Sequence, residues 1–88
     1  MNDLVLRLVD ITRSNPKNLA IVDGDRKVSY EEFLDLVNSM VAAFTPILDD
    51  SKNKCIAIAL PKGPHAYAAK FATLMAGGFY VPIDLQLP

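Results

Sequence analysis

One cysteine, Cys55, stands in the 88 residues, which excludes an internal disulfide. It lies in an apolar run, where a small buried hydrophobe is the expected role and a reactive thiol the alternative. The single histidine, His65, has no Cys or carboxylate cluster near it in sequence, so neither a metal site nor a general base is indicated there. No basic run exceeds Arg26-Lys27 and the net charge is −1, so nothing electrostatic points to nucleic acid or an anionic membrane. No apolar run approaches the roughly 18 residues of a membrane span. The N-terminus has Asp3 and Asp10 inside its apolar stretch, which is not the pattern of a signal peptide. The expected compartment is therefore the cytoplasm. Internal repeats, low-complexity tracts and the phosphate-loop spacing G-x-x-x-x-G-K-[ST] are all absent.

What is present is the profile of a packed core: 51% of residues are apolar and 22% charged. The length suits one domain. Asn2 or Asp3 can cap a first helix with Leu4, Val5, Leu8 and Ile11 at helical spacing, and Asn15-Pro16 stops it. Leu19 to Val22 and Arg26 to Tyr30 then read as the two strands of a hairpin turned by Asp23-Gly24-Asp25. Asp23 and Asp25 could be imagined as cation ligands, but two carboxylates without further ligands suit a solvated turn better.

Ser29-Tyr30-Glu31-Glu32 has the form of a capping box, Ser29 and Glu32 each bonding the other's backbone N–H. Glu31 and Glu32 are then electrostatic partners of a helix N-terminus rather than an acid–base pair. The helix that follows carries Phe33, Val37, Met40, Val41 and Phe44 on one stripe and is expected to end at Thr45-Pro46, with Asp49 to Asn53 a polar loop.

From Lys54 to Leu60 the chain is apolar without alternation, the mark of a strand covered on both faces. Pro61-Lys62-Gly63-Pro64 turns it into a helix from about Pro64 to Ala76. Its expected stripe is Tyr67, Phe71, Leu74 and Met75, with Ala66, Ala68, Ala69, Ala72 and Ala76 keeping it slim. Gly77 caps that helix and Phe79 to Ile83 reads as the next strand. The fold class is α/β: helix, hairpin and helix over residues 1–48, then a βαβ unit over 54–88, with a right-handed crossover expected. Two parallel strands and one helix leave a sheet face bare, so a single partial domain over 1–88 is expected. Lys62 to His65, between strand and helix, could bind an anion through free N–H groups. Pro64 lacks one of them, which favours a surface turn. Tyr30 and Tyr80 suit the edge of a core better than stacking platforms.

Two stretches carry a family resemblance. Val28-Ser29-Tyr30-Glu31-Glu32-Phe33 resembles L-T-Y-x-E-L, and Leu74-Met75-Ala76-Gly77-Gly78-Phe79-Tyr80-Val81-Pro82-Ile83-Asp84 resembles L-K-A-G-x-x-Y-V-P-I-D. These are the first two core motifs of the adenylate-forming superfamily, with Met75 in place of the usual Lys and Phe79 in place of a common Ala. The likeness runs from Pro16 to Pro88, and the wording from Tyr80 to Asp84 is similar to amino-acid-activating adenylation domains. Asp84-Leu85-Gln86-Leu87-Pro88 is closer to the D-L-x-x-P of D-alanine:carrier-protein ligases, as is Pro64-His65. A chain starting at Met1 is compatible with a free-standing ligase of that kind.

The resemblance implies the start of the large N-terminal domain of an enzyme that uses ATP and Mg²⁺. Such an enzyme activates a carboxylic acid, here an amino acid, and passes it to the phosphopantetheine thiol of a carrier protein. It also implies that the phosphate loop, the ATP-contacting motifs and the catalytic lysine lie beyond this segment. No catalytic, cofactor-binding or metal-binding residue is therefore expected within residues 1–88, whose partner would be the remainder of the adenylation domain. A non-catalytic docking module and an acyl-CoA synthetase parent are the alternatives.

Overall fold

The computed structural model describes residues 2–50, 52 and 54–83. Helix α1 spans Asp3–Ser14, and Asn2 caps it, its Oδ1 accepting the Leu4 N–H at 2.8 Å. Asp3 in the first turn and Arg13 in the last complement the helix dipole. The buried stripe is Val5, Leu8 and Thr12, whereas Leu4 and Ile11, expected to face inward, are exposed. Thr12 can take the inward place because its hydroxyl donates to the Leu8 carbonyl at 2.7 Å and carries no unmet polar group into the core. The helix stops where Asn15-Pro16 requires, with the Asn15 N–H donating to the Ile11 carbonyl at 2.8 Å.

Strands β1 (Leu19–Asp23) and β2 (Arg26–Ser29) pair antiparallel, with Asp23 opposite Arg26. The turn is thus two residues, Gly24-Asp25, one shorter than expected. Gly24 at φ 61° supplies the positive φ that a tight hairpin needs, so Asp23 is free to pair. Tyr30, expected at the end of β2, is instead the first residue of α2. The change of conformation falls at Ser29 because of the capping box. The Glu32 N–H donates to Ser29 Oγ at 3.2 Å and the Ser29 N–H to Glu32 Oε1 at 3.0 Å.

The Ser29 backbone donor, and then its hydroxyl, hold the Glu32 carboxyl below its ordinary pKa of 4.5. A depressed carboxylate stabilises the fold above its unfolded pKa, and that contribution fades as pH falls through the folded value. The stability difference between wild type and Glu32→Gln should accordingly be complete at neutral pH and decline below pH 4.5. Ser29→Ala should cost about 1 kcal/mol in denaturant titrations.

Helix α2 runs Tyr30–Asp50, 21 residues with Pro46 inside it, and so passes through the expected stop at Thr45-Pro46 and into the expected loop. Proline removes one N–H, and the carbonyl it would have served belongs to Ala42, which faces solvent. Burial repays the cost. Leu48, two residues further on, is 1% exposed and anchors the continuation. The last turn has no basic residue of its own, and Lys54 Nζ reaches back to the Leu48 and Asp49 carbonyls instead. The expected stripe holds. Phe33 and Val37 are buried, and Met40, Val41 and Phe44 pack half-buried around them.

Strand β3 is Cys55–Ile58, shorter than the expected Lys54–Leu60, since β4 (Phe79–Pro82) offers partners only as far as Ile58. The two strands are parallel, with Cys55 beside Phe79 and Ala57 beside Val81. Between them lies α3, Pro64–Met75. Its buried positions are Pro64, Ala66, Ala68, Ala69, Ala72 and Thr73, not the large residues of the expected stripe. Tyr67 is 42% exposed, while Phe71 and Met75 pack at the margin of the core. The inversion has a packing cause. α3 touches α2 as well as β3 and β4, and only small side chains let one helix lie close to neighbours on two sides.

A single core joins the three helices: Leu8, Phe33, Val37, Ala68 and Ala72, with Phe33 and Phe71 meeting edge-to-face at 5.7 Å. Among the described residues, no helix is long and apolar enough to cross a membrane.

Candidate functional site

The residues that sequence inspection marks as site-like are dispersed. Asp23 and Asp25 flank Gly24 in the exposed hairpin turn, and among the described residues no group of three or more His, Cys, Asp or Glu side chains is placed to hold a metal. Glu31 is paired with Lys17, whose ammonium is raised above its usual pKa by that carboxylate. Glu32 is engaged in the capping box. The two acids are thus held by different partners. Cys55 is a half-buried free thiol in β3. Tyr30 packs half-buried against the core, and Tyr80 lies half-buried beneath α3, with Lys70 Nζ 5.8 Å from its ring centroid.

Among the described residues, a cleft with cationic lining lies at the start of α3. Leu60, Pro61, Lys62, Gly63, Pro64 and His65 form it together with Arg26 of β2, enclosing about 200 Å³. α3 has no side-chain cap, which leaves N–H groups at its first turn, but Pro64 contributes none. Gly63 stands at φ 154°, and a Cβ there would come within 3.5 Å of Asp23 Oδ2. A carboxylate therefore borders the helix start and opposes the field an anion would use. His65, Lys62 and Arg26 are all exposed. No carboxylate stands among the residues that line the cleft.

The best-built feature is the junction of α3 and β4. The Gly77 N–H donates to the Leu74 carbonyl at 3.1 Å and the Gly78 N–H to the Thr73 carbonyl at 3.0 Å, the two bonds of a Schellman ending, with Gly77 at φ 89°. Thr73, wholly buried, donates its hydroxyl to the Ala69 carbonyl at 2.7 Å. Gly78 then passes so close to the start of β3 that a Cβ would lie 2.7 Å from the Lys54 carbonyl oxygen and 2.9 Å from both Leu48 methyls. Directly after it, the Phe79 N–H donates to that same carbonyl at 2.9 Å. Sequence inspection assigned the cap to Gly77 and missed Gly78. The doublet Gly77-Gly78 was the available signal. Asp84 to Pro88, on which the D-alanine-ligase likeness partly rests, lie outside the described residues.

This helix, turn and strand carry the longer of the two motifs, and the capping box carries the other. A model of the AMP-binding enzyme family matches residues 9–88. The chain belongs to that family. Among curated proteins it is 34% identical over 76 residues to the nonribosomal peptide synthetase asaC of Aspergillus flavus, covering 86% of this chain and 7% of that protein. It is 31% identical over 78 residues to the hybrid PKS-NRPS synthetase opdA of Penicillium oxalicum, covering 89% and 2%. Identity to the novobiocin biosynthesis protein H of Streptomyces niveus is 30% over 78 residues, covering 86% and 12%. The chain thus spans between 2% and 12% of these relatives.

Proposed function

We propose that the polypeptide carrying this chain is an ATP-dependent ligase that activates an amino acid as an acyl-adenylate. The observation that carries this reading is the α3–β4 junction, where the resemblance motif from Leu74 to Ile83 folds as one Schellman-capped unit inside the family match. The names of the relatives, nonribosomal peptide synthetases among them, support an amino acid as the acid activated. They also support transfer of the acyl group to the thiol of a carrier protein. ATP and Mg²⁺ supply the leaving pyrophosphate and the charge neutralisation that attack of a carboxylate on the α-phosphate requires. On this reading the segment contributes scaffold and no catalytic residue, and the structural engagement of Glu31 with Lys17 and of Glu32 with Ser29 supports it.

The test is exchange of labelled pyrophosphate into ATP by the complete polypeptide, screened over amino acids. Exchange that depends on one or a few amino acids is expected, followed by loading of a phosphopantetheinylated carrier. Exchange only with fatty or aromatic acids, with product formed only on free CoA, would replace this reading with that of an acyl-CoA synthetase.

A further inference from the structure

No further inference is drawn: the strongest candidate, the cleft at the start of α3 with the exposed side chains of Arg26, Lys62 and His65, rests on a helix N-terminus with no second observation among the described residues that points to a ligand.

Discussion

Gly78→Ala is expected to destabilise the folded polypeptide by about 3 kcal/mol, and Gly77→Ala by only about 1 kcal/mol. The two neighbours are glycine for different reasons. Gly77 sits at φ 89° with nothing within 4 Å of an added Cβ, so alanine there meets only the backbone cost of a left-handed conformation. A β-branched residue is worse, and Gly77→Val should cost about 1–2 kcal/mol. Gly78 has no such φ, but its Cβ would press on the Lys54 carbonyl at 2.7 Å and on both Leu48 methyls at 2.9 Å. The methyls can turn aside. The carbonyl cannot, because it accepts the Phe79 N–H that opens the β3–β4 ladder. Relief therefore requires β4 to move away from β3 or the end of α2 to lift from the turn. Denaturant titration of both variants decides the order, and a larger loss for Gly77→Ala would place the constraint in the helix cap instead of the close approach.

The legible parts of this chain were those encoded by local chemistry. The Ser29–Glu32 box, the stop at Asn15-Pro16, the Gly24 turn and the start of α3 at Pro64 each depend on residues within a few positions of one another, and each is found where sequence places it. The illegible parts depended on contacts distant in sequence. Pro46 reads as a helix stop until Leu48 is seen buried against the turn at Gly78, and Lys54 reads as the start of a strand until its ammonium is seen on the last carbonyls of α2. The alanine face of α3 reads as filler because periodicity weighs large side chains, whereas a helix with neighbours on two sides buries its small ones. Of the site-like residues, the local pair Ser29 and Glu32 was legible. The weakness of the α3 cleft was only half so: Pro64 is visible in sequence, but the approach of Asp23 to Gly63 needs the fold.

Phe33→Ala is expected to cost about 3–4 kcal/mol, the largest loss from any single truncation proposed for this segment. Phe33 is 4% exposed at the first inward position of α2. It belongs to the core cluster with Leu8 of α1 and Ala68 and Ala72 of α3, and its ring meets Phe71 edge-to-face at 89°. Alanine removes the ring from the place where the three helices share a core. The alanines opposite it have no longer side chains with which to fill the space, so much of the cavity should persist. Phe33→Leu keeps most of the volume and should cost about 1–2 kcal/mol, including the loss of the aromatic pair. The same variants test the scaffold role of the segment. Assayed well below its unfolding temperature, Phe33→Leu should leave the KM for ATP and the amino acid unchanged, because its neighbours are core side chains. A selective rise in the KM for ATP, with stability nearly intact, would mean that this core reaches the nucleotide site and that the segment is more than scaffold.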